Sequence, residues 1–252
     1  SSNMNEKKCT TVYIDTEVFQ GIQYNFNNKR IELLKNLSVL SVVNLSITSI
    51  TNNENIIRIK KNINNIKKLL KKNKKDLYIL NTISGFKDNI SLDKIEEYKK
   101  ILLHNYNAFV DEYVEVVDCN EVNMKPVLKA YFNEKPPFNK ELKKHEFPDA
   151  ISVMTIQKNI KDNEEVVLVS HDPDLRNMVE TFNLTESITV LGNLQDLLDH
   201  FNKETEFYDR FIILIREKDF KEKIEEQFGA VEFIAQGVYD PYIEDCNRIE
   251  TK

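Results

Sequence analysis

Glycine is scarce in this chain, with 5 residues in 252. Neither GxxxxGK followed by Ser or Thr nor GxGxxG occurs, which excludes a glycine-rich phosphate loop. Cysteine is scarcer. Cys9, Cys119 and Cys246 stand far apart with no CxxC pair, so neither a cysteine zinc site nor a disulfide framework is signalled. The four histidines, at 104, 145, 171 and 200, have no metal-ligand spacing. No run of 18 apolar residues and no signal-peptide pattern is present, so the expectation is a soluble cytoplasmic protein with no membrane partner. An excess of positive charge is also missing. The net charge is −6, and a polyanion would have to bind through a local basic patch.

The residues present are those of a packed domain, 41% hydrophobic and 10% aromatic. Short β-branched runs predict strands at Val12–Ile14, Leu45–Ile50, Val166–Val169 and Ile188–Leu191. A polar loop is expected over 20–29. Apolar residues three and four apart predict helices over 31–40, 93–113, 122–132, 149–159, 173–182 and 194–201. A further helix after Thr51 carries Ile56, Ile59, Ile63, Ile66 and Leu70 on one stripe. Leu77–Ile79 reads as a short apolar turn or edge strand. Alternating strands and helices imply an α/β fold with a mostly parallel central sheet. Residues 202–252 have a different pattern, a charged helical stretch and one strand candidate at Val231–Ala235. They are expected to form a small C-terminal α+β appendage to a main domain over 8–201.

Acidic residues stand where such a sheet places its ligands, beyond the carboxyl ends of the strands. Asp15 ends the first strand run, and Asp172 follows the Val166 strand in Ser170-His171-Asp172-Pro173-Asp174. Glu54 comes just after the second strand, and Asp149 opens the helix before the Val166 strand. Converging carboxylates repel unless a cation lies among them. Hard oxygen donors without His or Cys select Mg²⁺ or Mn²⁺. Each acid also has an ordinary reading. Asp15 can simply end a strand, Asp149 and Asp172 can cap helices, and Glu54 can complete a capping box with Thr51. Asp174 suits the first turn of its helix.

YIDTEVF (13–19), TNNEN (51–55), PPFNKELKKHEFPDAI (136–151) and VLVSHDPDL (167–175) resemble a PIN domain, most closely a bacterial subgroup with a KKHEFPDA block. The resemblance spans residues 8–201. It implies a three-layer α/β/α nuclease fold and a metal site of Asp15, Glu54, Asp149 and Asp172. It further implies that the hydroxyls of Thr16 and Ser170 stand beside the acids. Apart from the resemblance, Glu146, three residues before Asp149, is a candidate extra ligand, and Asp174 a candidate secondary acid. The implied activity is endoribonuclease hydrolysis of RNA by metal-activated water, leaving 5′-phosphate and 3′-hydroxyl ends. The family allows a toxin or antiphage role, single-stranded DNA as substrate, a homodimer, or a partner protein bound through the appendage.

From Arg58 to Lys75 there are nine basic residues and no acid. Within this stretch Lys67, Lys68 and Lys71, and outside it Lys143 and Lys144, are candidate phosphate contacts, with a solvated lysine-rich surface as the alternative. Two other functions compete. One is a catalytically silent PIN scaffold. The other is a haloacid-dehalogenase phosphatase, disfavoured because Glu17 stands where that family needs Asp.

Overall fold

A computed structural model of the chain describes residues 9–83, 91–139, 141 and 143–203. These fall into two compact units, 9–26 with 34–193 and 27–33 with 194–203. The expected C-terminal appendage, with its strand candidate at Val231–Ala235, lies outside the described residues from 204 onward.

The elements run β1 (Cys9–Ile14), α1 (Thr16–Gly21), α2 (Lys29–Val39), β2 (Val43–Thr48), α3 (Ser49–Lys72) and α4 (Lys74–Leu77). After a 3₁₀ turn at Tyr78–Thr82 come α5 (Leu92–Tyr113), β3 (Val114–Val117) and α6 (Lys125–Phe132). A second 3₁₀ turn at Lys143–Glu146 leads into α7 (Phe147–Lys158), β4 (Glu164–Val169), α8 (Pro173–Thr181), β5 (Thr189–Leu191) and α9 (Leu194–Lys203).

The five strands form one sheet in the order β3-β2-β1-β4-β5, and every pairing is parallel. A parallel sheet covered on both faces needs strands apolar on both sides. Accordingly Val166, Val167, Leu168 and Val169 are all buried, although alternate residues point to opposite faces. On one face Tyr13, Val166 and Leu168 join a core with Val127 and Ala130 of α6, Ala150 and Val153 of α7, and Leu175 and Met178 of α8. The other layer is built from α1, α3 and α5. There Phe19 packs edge-on against Tyr106 and Phe109, and Phe26 stacks on Phe109 at 4.6 Å. The result is a three-layer α/β/α sandwich. In the second unit, Leu194, Leu197, Leu198 and Phe201 form the buried stripe of α9, and Arg30 Nε donates to Gln195 Oε1 at 3.1 Å.

Several sequence expectations shift. The expected 20–29 loop begins inside α1, which extends to Gly21, and ends where α2 begins. The Leu77–Ile79 segment is helical. Helix α6 starts at Lys125, with Pro126 in its first turn. Helix α3 starts at Ser49, and its cap is Thr48, whose hydroxyl accepts from the Thr51 N–H at 3.2 Å. Glu54 is therefore not a capping-box partner of Thr51. Burial on α3 follows Thr51, Asn55, Ile59 and Ile63, whereas Ile66 is 43% exposed. No helix among the described residues is long and apolar enough to cross a membrane.

Candidate functional site

The chain goes from β1 to β2 on one side and later returns to β4 on the other, so the strand order reverses at β1. A ligand crevice is expected at the carboxyl ends of the strands flanking that reversal. Asp15 is the first residue past β1. Its N–H donates to the Val169 carbonyl at 3.0 Å, which fixes the backbone at the mouth between β1 and β4. Asp15 is the N-cap residue of α1 but makes no side-chain cap bond. Its carboxylate instead accepts from Ser170 Oγ at 2.9 Å.

Ser170 has a second partner, because the Asp172 N–H donates to the same hydroxyl at 3.0 Å. Asp172 caps α8, accepting from the Asp174 N–H at 2.8 Å. The capping reading of Asp172 therefore holds, and it leaves the second carboxylate oxygen outside that bond. Thr16, buried at the start of α1, donates to Glu54 Oε2 on α3 at 2.6 Å. Two hydroxyls thus orient two of the acids, each reaching across from a neighbouring element.

Asp149 is the third residue of α7, whose N-cap is Glu146. It therefore neither opens nor caps the helix. Its carboxyl is pushed up to about 8, chiefly by burial and then by the negative charges of Asp15, Glu54, Asp172 and Glu146. Asp15 is raised to about 6, first by burial, while its bonds from Ser170 and the Thr16 N–H pull the other way and Glu17 and Glu54 add repulsion. Among the described residues no lysine or arginine is ion-paired with Asp15, Glu54, Asp149 or Asp172.

A pocket beside these acids is lined by Asp15, Asp149, Thr48, Thr51, Ser152 and apolar residues including Tyr13 and Leu175. Thr48 and Ser152 hydroxyls meet at 2.9 Å on its wall. Sequence reasoning missed Thr48 and Ser152. Ser152 follows Asp149 by three residues, the spacing that puts two side chains on one helical face, and that signal was available.

The donor set fits a hard divalent cation. It is all oxygen, has no ion-paired lysine or arginine among the described residues, and has hydroxyls orienting individual carboxylates. Among the described residues, no three of the acids are placed around a single ion.

The proposed nucleic-acid contacts fall in two places, on α3 and in the turn just before Asp149. Lys67 is ion-paired with Glu96 at 2.8 Å, while Lys68 and Lys71 are exposed on α3. Lys143 and Lys144 begin the 3₁₀ turn that leads to Glu146, and Lys144 is exposed. Tyr106 and Phe109 are buried, as core residues should be.

Comparison with known families matches residues 12–175 to the PIN domain. PIN domains are generally nucleases and usually use divalent metal ions. No curated protein and no solved structure gives a significant match.

Proposed function

Because the chain belongs to the PIN domain family, we propose that it is a Mg²⁺- or Mn²⁺-dependent endoribonuclease whose site comprises Asp15, Glu54, Asp149 and Asp172. The observation that carries this reading is the repulsion focused on Asp149. Acids from the β1 end, α3, the β4–α8 turn and the α7 N-terminus all raise its pKa, and no basic side chain among the described residues offsets them. Carboxylates gathered in this way without a cation destabilise one another.

A bound Mg²⁺ or Mn²⁺ supplies Lewis acidity, bringing water's ionisation towards neutral pH and offsetting charge on the phosphate. The chain's own residues do the rest. Asp15, Asp149, Asp172 and Glu54 provide the oxygen ligands. Ser170 holds Asp15 and the Asp172 backbone in one arrangement, and Thr16 holds Glu54. Glu146 and Asp174 add negative charge at the rim. Lys144 and the lysines of α3 attract the phosphate backbone. No side-chain nucleophile is required, and water attack leaves a 5′-phosphate and a 3′-hydroxyl.

The test is cleavage of structured and unstructured RNA, with single-stranded DNA alongside, in Mn²⁺ or in chelator. The expected result is Mn²⁺-dependent RNA cleavage that Asp15→Asn and Asp149→Asn each reduce by about a hundredfold or more, given the several kcal/mol a metal centre supplies. Cleavage that survives both substitutions in pure protein would overturn the proposal. Absence of Mn²⁺ binding by calorimetry would favour a catalytically silent PIN scaffold.

A further inference from the structure

Helix α3 leaves the acidic site behind as it runs outward. From Glu54 to Lys71 is 17 residues, about 26 Å along the axis at 1.5 Å per residue. Beyond the last buried position, Ile63, the helix carries Lys67, Lys68, Lys71 and Lys72, and α4 adds Lys74 and Lys75. All of these except Lys67 are exposed. The helix dipole accounts for lysines in the last turn of α3, where Lys71 and Lys72 stand near unsatisfied carbonyls. It is a weaker account of Lys74 and Lys75, which share the single turn of α4 with Asp76. It does not account for the exposed apolar groups that accompany them. Tyr78 is 71% exposed, Ile79 76% and Leu69 57%.

Exposed aromatic and aliphatic side chains among positive charges that have no ion pair among the described residues match the requirements of one kind of partner. A single nucleic-acid strand offers phosphates to lysines and unstacked base faces to an aromatic ring. A duplex hides its base faces from such a ring.

We propose that the end of α3 with α4 and the following 3₁₀ turn forms a distal binding track for single-stranded nucleic acid. Lys68, Lys71, Lys72, Lys74 and Lys75 grip its backbone and Tyr78 stacks on a base. The inference rests on the nuclease reading only for its location relative to the acids, since strand binding can be measured without cleavage. At the helical rise of about 3.4 Å per phosphate, 26 Å corresponds to about eight nucleotides between the acids and Lys71, and fewer for an extended strand. Short substrates should therefore engage the acids but not the track.

The test is fluorescence anisotropy with labelled oligouridylate and oligothymidylate of about 20 nucleotides, in chelator so that nothing is cut. Tyr78→Ala should weaken binding about tenfold, within the range for loss of one stacked base. A Lys71→Gln, Lys72→Gln, Lys74→Gln, Lys75→Gln variant should reduce the slope of log affinity against log salt by roughly 3, about 0.7 per lost phosphate contact. The Tyr78→Ala effect should disappear on a duplex, whose base faces are stacked away, while the salt-slope effect of the lysine variant should persist there. An effect on either strand supports the track, and the strand with the larger loss is the better ligand. Unchanged affinity and salt slope for both strands would overturn the inference. Circular dichroism of the variants, all altered at exposed positions, checks that folding is intact. Loss of cleavage with strand binding retained would overturn the nuclease reading and leave the track standing.

Discussion

The two ends of α3 are one continuous helix with opposite surroundings. Its first half is locked. Thr51, Asn55, Ile59 and Ile63 are buried, Tyr24 OH donates to Asn55 Oδ1 at 3.1 Å, and Asn55 Nδ2 donates to Tyr106 OH at 3.3 Å. Its second half exposes Ile66 and Leu69 among lysines. The buried end fixes Glu54 against Thr16, where a displacement of one ångström would matter to a cation site. The exposed end carries charge and needs no single geometry. One helix can thus combine a rigid part of a site with a yielding surface, because burial sets rigidity locally.

The largest effect should come from the electrostatics of the acidic end. Asp149 is raised to about 8 in the folded protein, against about 3.9 in an unfolded chain. Between those values the folded state binds more protons, so stability must fall as pH rises from about 4 to about 8. The loss should amount to a few kcal/mol once solvent screening is allowed for. Thermal melts of metal-free protein across this range check it. Mn²⁺ should raise the melting temperature more at pH 8 than at pH 5.5, and Asp149→Asn should flatten the pH dependence. A melting temperature that climbs with pH in chelator would contradict the repulsion.

Next in size is packing. Ile59→Ala, at a site 2% exposed, should cost about 2–5 kcal/mol in chemical denaturation. A cost below about 1 kcal/mol would mean that the first half of α3 is not locked as described. Ser170→Ala removes the hydroxyl shared by Asp15 and the Asp172 backbone, and should weaken Mn²⁺ binding about 10- to 100-fold. Calorimetric titration measures this directly, and an unchanged affinity would separate Ser170 from the site. Smallest of all, Leu69→Ala should change stability by less than about 0.5 kcal/mol, since its side chain is already in water. A larger cost would place a covering element over the exposed end.

The strands were legible because a parallel sheet demands uninterrupted apolar runs, and Val166–Val169 is such a run. Of the four acids, Asp15 and Asp172 stand just past such runs, whereas Glu54 lies inside α3 and Asp149 in the helix before β4, so strand runs alone do not group them. Start signals on helices were harder to read. Thr51 and Thr48 are both β-branched hydroxyl residues, and only the backbone turn at the end of β2 decides that Thr48 is the cap. Asp149 after Pro148 resembles a cap in sequence, but the 3₁₀ turn at Lys143–Glu146 starts the helix earlier. Which hydroxyl serves which acid was not readable. Thr16 and Glu54 are 38 residues apart, and Ser170 and Asp15 are 155 apart, so only the sheet register pairs them. The aromatic end of the basic stretch was also hidden. No aromatic residue alternates with the lysines, so the stretch reads in sequence as one without base stacking; Tyr78 follows them, in a segment that reads as a short turn or edge strand and folds as a 3₁₀ turn.

The central claim is that Asp15, Glu54, Asp149 and Asp172 form one cation-dependent cleavage site. RNA cleavage by wild-type protein and by Asp149→Asn, each in Mn²⁺ and in chelator, tests it most directly. Cut RNA is expected only for the wild type with Mn²⁺. Equal cleavage by the variant, or cleavage undiminished in chelator, would contradict it.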